Sequence, residues 1–141
     1  HITNEDFLLI GFDLIKDDSI IELAYNDKEE VTSKFNLNIL NRINKELGGN
    51  FILENFSHKA IYNKNKDRIE MHIVSKKRQQ VFISGLNKNI DFEENETIHT
   101  ENSYKYNNNE IKKLVNRAGF TIEKEFYDTN NWYDLVLLEP N

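Results

Sequence analysis

The feature that most constrains the fold is a short apolar run near the start of the chain, FLLIGFDLI at residues 7–15. A run of this length between charged residues predicts a strand buried on both faces, in the middle of a sheet. None of the strand–helix repeats of a doubly wound sheet follow it. The sequence therefore predicts a central strand whose usual neighbours lie outside this chain. The unusual first residue, His1, also favours a fragment.

The next segment predicts two helices. Ser19 is placed to cap a short helix within residues 16–27. Asp27 stands three residues before Glu30, which is the spacing of a capping box. A long helix then ends at Gly48, and its apolar stripe consists of Val31, Phe35, Ile39, Leu40, Ile43 and Leu47. Four asparagines lie mostly off this stripe, and we expect most of them to be solvated: Asn36, Asn38, Asn41 and Asn44.

From residue 57 the apolar period changes to two, which is typical of strands. Four strands are predicted at residues 57–63, 68–75, 79–85 and 96–106, with a polar connection at 87–95. A helix at 107–120 with Gly119 after its last turn precedes two final strands, at 120–128 and 132–140. The order β, α, α, four β, then α, β, β predicts an α+β fold.

Composition excludes several classes of function. The 141-residue chain has a net charge of −6, which argues against binding a nucleic-acid backbone. It has no cysteine, so disulfides, thiolate metal sites and thiol nucleophiles are excluded, and a reducing, cytoplasmic location is expected. No apolar stretch approaches the roughly 20 residues of a membrane span.

Histidine and glycine patterns indicate neither a metal site nor a phosphate loop. His58, His72 and His99 all fall on predicted strands, at spacings that match no zinc motif. The five glycines never form a GxGxxG arrangement, and no GxSxG elbow occurs. We therefore expect no metal ligands in this chain.

The segment HTENSYKY at residues 99–106 is the strongest candidate for a site. On a regular strand Glu101 and Ser103 point to one side, and Thr100 and Tyr104 to the other. A carboxylate beside a hydroxyl is consistent with a solvated strand edge or with a pocket wall for N–H donors. Met71 could fill the core or line a pocket for a flat ring, and Tyr25 could be a packing residue with its hydroxyl at the surface.

Several blocks together carry a resemblance to a known family: DLIKD (13–17), AYND (24–27), FNLNILNRINKEL (35–47), RIEMH (68–72) and TENSYK (100–105). Over residues 7–138 the chain closely resembles the C-terminal half of the histidine-specific, S-adenosylmethionine-dependent methyltransferases. That family includes the enzyme that trimethylates the histidine α-amine in ergothioneine biosynthesis.

The resemblance implies an architecture. Residues 1–17 would hold the fifth strand of a Rossmann-like methyltransferase domain, residues 18–103 a substrate-binding domain inserted after it, and residues 104–141 the terminal helix and strand pair. S-adenosylmethionine would be bound mainly by residues absent from this chain, so the chain alone is expected to be inactive. The exposed apolar edge beside residues 7–15 would favour a dimer or strand exchange.

The resemblance also implies roles for four residues in binding histidine. Glu101 would accept a hydrogen bond from the imidazole, assisted by Ser103, while Met71 packs against the ring and Tyr25 holds the carboxylate. The α-amine would displace the methyl group directly, and no catalytic residue is assigned here. Two alternatives remain open: a methyltransferase for another amino acid or amine, and a non-enzymatic domain that binds a small molecule.

Overall fold

The computed structural model describes residue 3 and residues 5–141, so His1 lies outside the described residues. The α+β class predicted from the pattern is confirmed. The α-helices are α1 (Asp18–Tyr25), α2 (Val31–Leu47) and α3 (Asn108–Arg117). The strands are β1 (Leu8–Asp13), β2 (Phe56–Asn63), β3 (Arg68–Ser75), β4 (Gln79–Ile83), β5 (Lys88–Phe92), β6 (Thr97–Tyr104), β7 (Phe120–Tyr127) and β8 (Tyr133–Pro140).

The chain divides into two compact units, named here from their place in the sequence. The terminal unit comprises the described residues up to Asp17 together with Lys64–Arg68 and Tyr104–Asn141. The central unit comprises Asp18–Asn63 and Ile69–Ser103. In the part of the chain that the structure describes, no helix has both the length and the apolar character needed to cross a membrane.

The terminal unit contains an antiparallel sheet in the order β1-β8-β7. Helix α3 packs on one face of it, where Ile111 and Val115 meet Phe12, Val136 and Leu138. The helix begins at a complete capping box, because the Asn107 side chain accepts from the backbone of Glu110 while the Glu110 carboxylate accepts from the backbone of Asn107. This packing explains why every second residue of β8 is buried.

The prediction that the first strand is buried on both faces is wrong for the described residues. Phe12 is 5% exposed, but Leu9, on the opposite face of β1, is 54% exposed. Within the described chain, β1 pairs only with β8, and α3 covers only one face of the sheet. The apolar run therefore forms a strand as predicted, but one face of this strand is partly exposed in the described residues.

The central unit contains a sheet in the order β2-β3-β6 and a separate antiparallel pair, β4-β5. Ile69, Met71 and Ile73 alternate along β3 and are buried on one face. Ile69 and Met71 pack with Ile21 of α1, and Ile73 packs with Leu40 of α2. Both helices therefore cover the same face of this sheet.

The capping of the two central helices differs from the prediction. Ser19 lies inside α1, which begins one residue earlier at Asp18. Asp27 does cap α2, but its carboxylate accepts from the backbone N–H groups of Val31 at 2.7 Å and Thr32 at 3.0 Å. Glu30 is the N-cap residue in a left-handed conformation without a side-chain bond, so the arrangement is not a capping box. Gly48 ends α2 in the predicted left-handed conformation.

The polar connection predicted at residues 87–95 is wrong in part, because it contains strand β5. Only Ile90 and Phe92 of this strand reach the core, and the intervening residues are polar and exposed. A single five-residue strand with one apolar pair gives a weak alternating pattern, which explains the error. The central unit consequently has five strands in two sheets.

Candidate functional site

Tyr25 and Ser103 are brought together by the fold. Tyr25 is the last residue of α1, and its hydroxyl lies 2.6 Å from the hydroxyl of Ser103 near the end of β6. The two residues are 78 positions apart in sequence, and both are half-buried. The contact places two hydroxyl groups side by side where α1 lies over the sheet.

Met71 lies in the adjoining core. Its side chain is 2% exposed and belongs to a buried cluster with Ile21, Tyr62 and Ile69, against which Tyr25 packs. Met71 and Tyr25 are therefore neighbours in the fold. With 2% of its surface exposed, the Met71 side chain offers a ligand very little contact area in this arrangement.

Glu101 occupies a different environment from these three residues. It is exposed, and it lines a groove of about 210 Å³ together with residues of α2 and with Thr100. Phe35, Ile39 and Arg42 are the larger side chains of α2 in this groove. The carboxylate is thus accessible to a ligand, and it stands two residues from Ser103 on the same strand.

The regular alternation expected for β6 is wrong. The Thr100 hydroxyl donates to Asn36 of α2 at 2.7 Å, and the Ser103 hydroxyl meets Tyr25 of α1. Both helices cover the same face of the sheet, yet Thr100 and Ser103 are three residues apart. The strand is therefore irregular between them, and residue spacing alone does not place Glu101 beside Ser103.

The three histidines form no metal site, and within the described residues no cluster of histidine and carboxylate groups could hold an ion. His72 and His99 stack at 4.6 Å between ring centroids with a 25° angle between planes. Burial of the His72 ring, followed by the proximity of His99, lowers the pKa of His72. The stacking of the two rings is a packing arrangement, with the Glu70 carboxylate 3.9 Å from His72 Nε2.

Asn36 is the residue of this region that sequence reasoning misjudged. It was expected among the solvated asparagines, but it is 4% exposed and hydrogen-bonded to three different groups. The signal was present in the helical spacing, since Asn36 stands four residues before Leu40 and seven before Ile43. A polar residue on a buried stripe needs partners, and here it finds them on three strands.

The sequence of this chain is similar to the sequences of known proteins. Residues 1–140 match the family described as "Histidine-specific methyltransferase, SAM-dependent". The chain is 37% identical over 114 residues to a histidine N-alpha-methyltransferase of Mycolicibacterium smegmatis and 38% identical to its counterpart from Mycobacterium tuberculosis. It is also 26% identical over 125 residues to ergothioneine biosynthesis protein 1 of Schizosaccharomyces pombe.

The two mycobacterial matches cover 81% of this chain but only 36% of each relative's length, and the yeast match covers 88% of this chain and 16% of that protein. The chain thus corresponds to about a third of the mycobacterial proteins. The family match nevertheless extends over nearly every residue. The chain therefore belongs to the histidine-specific, SAM-dependent methyltransferase family.

Proposed function

We propose that the whole protein methylates the α-amine of histidine, with S-adenosylmethionine as methyl donor, and that this chain supplies the part that binds the amino acid. The family membership and the names of the mycobacterial relatives support this substrate. The observation that carries the proposal is the 2.6 Å contact between the hydroxyl groups of Tyr25 and Ser103, which are 78 residues apart in sequence.

The proposed roles follow from the chemistry of each group. The Tyr25 hydroxyl is suited to donate to a carboxylate, while the Glu101 carboxylate and the Ser103 hydroxyl are suited to accept a ring N–H. Met71 would contribute apolar contact to the ring from the core side. An amino acid without a ring N–H would leave Glu101 unpaired, which disfavours that substrate.

S-adenosylmethionine would be bound mainly by residues of the whole protein outside this chain. Within the described residues no glycine lies between a strand and a following α-helix: Gly11 is within β1, Gly48 and Gly49 follow α2, Gly85 lies between β4 and β5, and Gly119 follows α3. The Gly11 position is moreover covered by the Tyr133 ring. We therefore infer that the cofactor is bound mainly by other residues of the whole protein. The contribution of this chain would be to bind and orient the amine.

The proposed domain arrangement is the one implied by the resemblance. Residues 1–17 and 104–141 would belong to a Rossmann-like methyltransferase domain, and residues 18–103 would be inserted into it as the substrate-binding domain. The antiparallel pairing of β1 with β8 and of β8 with β7 supports a shared sheet for the first and last segments.

Replacing Glu101 with alanine in the whole protein tests the role of the carboxylate. A charge-assisted hydrogen bond of about 1.5–3 kcal/mol would be lost, so kcat/KM for histidine should fall roughly ten- to a hundredfold. The measurement is competition between histidine and phenylalanine for methylation, because phenylalanine has no ring N–H and loss of the carboxylate should penalise it less. Glu94→Ala is the matched control, since Glu94 is exposed in the turn before β6.

Three outcomes would count against parts of the proposal. An unchanged ratio of kcat/KM for histidine and phenylalanine in Glu101→Ala would show that Glu101 does not recognise the imidazole. Faster methylation of another amine by the unaltered protein would replace histidine as the substrate. Ligand binding without methylation of any amine would favour the non-enzymatic alternative.

A further inference from the structure

Asn36 is a buried amide in the middle of the longest helix. It is 4% exposed, and Leu40 is the other buried residue of α2. Asparagine is a weak helix former, and its unpaired amide would be costly in an apolar layer. Its position is therefore explained by its hydrogen bonds and not by packing alone.

The amide makes three hydrogen bonds to three strands. Nδ2 donates to His58 Nδ1 on β2 at 2.9 Å and to the His72 carbonyl on β3 at 3.1 Å. Oδ1 accepts from the Thr100 hydroxyl on β6 at 2.7 Å. A flipped amide would bring Oδ1 against the His72 carbonyl, where two acceptors would face each other, so the His72 carbonyl fixes the orientation.

This orientation also fixes the proton on His58. Because Asn36 Nδ2 is a donor, His58 Nδ1 must accept, and the neutral ring carries its proton on Nε2. Nε2 lies 3.0 Å from the carbonyl oxygen of Tyr25, to which it donates. A chain of two hydrogen bonds thus runs from Asn36 to the backbone of the residue proposed to hold the substrate carboxylate.

A second branch leads to the other proposed contacts. The Thr100 hydroxyl lies 2.7 Å from Asn36 Oδ1 and 3.0 Å from the carbonyl of Met71. Thr100 directly precedes Glu101 and lines the same groove. The network therefore joins, through one amide, the backbone at Tyr25, at Met71 and beside Glu101.

We propose that Asn36, acting through His58 and Thr100, is a positioning residue for the amino-acid site. This inference rests on the proposed function of that site. Asn36 itself makes no contact with the amino acid in the proposed site. It holds the end of α1 and the irregular part of β6 in the register that places Tyr25 and Glu101, so its loss should weaken histidine binding without affecting the methyl donor.

The test is isothermal titration and kinetics on the whole protein with histidine. Asn36→Ala and Thr100→Val should each raise the histidine Kd and KM about tenfold or more, because displaced binding groups lose their alignment. The Kd for S-adenosylmethionine should stay within about twofold of the unaltered protein, and Thr100→Ser, which keeps the hydroxyl, should restore histidine binding.

Asn44→Ala provides a matched control on the same helix. Asn44 also makes two amide hydrogen bonds, both at 2.8 Å, but to the backbone of Phe51 and away from the site. A merely structural role for Asn36 predicts that both alanine variants lose stability and that neither changes the histidine Kd. The positioning role predicts a changed Kd for Asn36→Ala alone.

The outcomes separate the two proposals. If the unaltered protein does not bind histidine, the proposed function is overturned and this inference with it. If the unaltered protein binds histidine and both Asn36→Ala and Thr100→Val bind it within twofold of normal, only the inference is overturned. Should Asn36→Ala fail to fold, the Thr100→Val and Thr100→Ser pair decides the matter.

Discussion

Asn36 in the central unit and Asp134 in the terminal unit are both removed from solvent, at 4% and 0% exposure, but their surroundings differ. Asn36 bonds to three partners, whereas neither carboxylate oxygen of Asp134 makes a hydrogen bond to a described residue. The nearby Tyr127 hydroxyl donates instead to Glu125 at 3.1 Å. A buried polar group stabilises one unit and carries a cost in the other.

The chemical consequence appears in the titration of Asp134. Burial, followed by the charge of Glu125, raises the pKa of Asp134. Burial and the bond to Glu125 raise the pKa of Tyr127 to about 12, so this hydroxyl stays protonated. Burial alone therefore does not show that a polar residue stabilises the fold. Its hydrogen-bond partners have to be known as well.

The largest expected effect is the loss of the Asn36 amide. Asn36→Leu should lower the free energy of unfolding of this chain by about 3–5 kcal/mol, because His58 Nδ1, the Thr100 hydroxyl and the His72 carbonyl each lose their hydrogen bond to the amide, at about 1–3 kcal/mol each. Urea unfolding measures the change. Asn38→Leu, an exposed neighbour on α2, should change stability by less than about 0.5 kcal/mol. Equal losses of stability for Asn36→Leu and Asn38→Leu would show that the buried hydrogen bonds of Asn36 do not stabilise the chain.

The second effect has the opposite sign. Asp134→Asn should stabilise the chain at pH 7 by about 1–3 kcal/mol, because it removes a carboxylate whose charge is disfavoured by burial and by the nearby charge of Glu125. The folded-state pKa of Asp134 is raised, so the unfolded chain releases its proton first as pH rises. Wild-type stability from this group is therefore highest below its ordinary pKa and falls as pH rises toward the folded pKa.

The pH dependence of the unfolding free energy tests this explanation. The advantage of Asp134→Asn over wild type in urea unfolding should grow between about pH 4 and pH 7. Asp128→Asn should behave in the opposite way and in a lower pH range, because the backbone N–H groups of Asn130, Tyr133 and Trp132 lower the pKa of Asp128. Its stability relative to wild type should stay nearly constant between about pH 4 and pH 7, and its deficit should shrink as pH falls below about 4. A pH-independent difference for Asp134→Asn would mean that its carboxyl is not perturbed in the folded chain.

The smallest effect compares the glycines that follow the main helix of each unit. Gly48 and Gly119 both have left-handed backbones, with φ of 63° and 81°. An alanine at either site costs about 1 kcal/mol or slightly more in backbone strain. A Cβ at Gly119 would meet nothing within 4 Å, whereas one at Gly48 would lie 2.2 Å from the Ser84 hydroxyl.

Thermal unfolding should therefore rank Gly48→Ala below Gly119→Ala. Adding Ser84→Gly to Gly48→Ala should remove the steric part of the difference, although it also removes the bond from Ser84 to the Gly48 carbonyl at 3.1 Å. Equal losses for the two single substitutions would show that the Ser84 side chain moves aside without cost.

Periodicity predicted most of the fold. Helix α2 with its glycine cap, and the final helix with its two strands, were readable because each repeats a strong apolar pattern. The predicted apolar stripe of α2 was wrong in part, since Val31, Phe35, Ile39 and Leu47 are exposed and the buried residues of this helix are Asn36 and Leu40. Strand β5 was missed because it contributes only Ile90 and Phe92 to the core. The exposed face of β1 was missed because an apolar run does not reveal which layer covers it.

The candidate site was less predictable than the fold. Sequence pattern drew attention to residues 99–106, but their roles came from the resemblance and not from spacing. The irregularity between Thr100 and Ser103 could not be read, because it depends on contacts with Asn36 and Tyr25 that are distant in sequence. Side-chain hydrogen bonds across 64 and 78 residues leave no local pattern.

The short contact between the Tyr25 and Ser103 hydroxyls has a direction as well as a length. Each hydroxyl has one proton, and only one of the two can occupy the 2.6 Å contact. In the proposed site, a carboxylate that accepts the Tyr25 proton requires Ser103 to donate its own proton to Tyr25, so that Ser103 can act toward a ring N–H only as an acceptor. An anion bound at the Tyr25 hydroxyl therefore makes Ser103 an acceptor. An amino acid that carries both a carboxylate and an imidazole then fits one arrangement of the two hydroxyl protons, whereas without a carboxylate either arrangement is available.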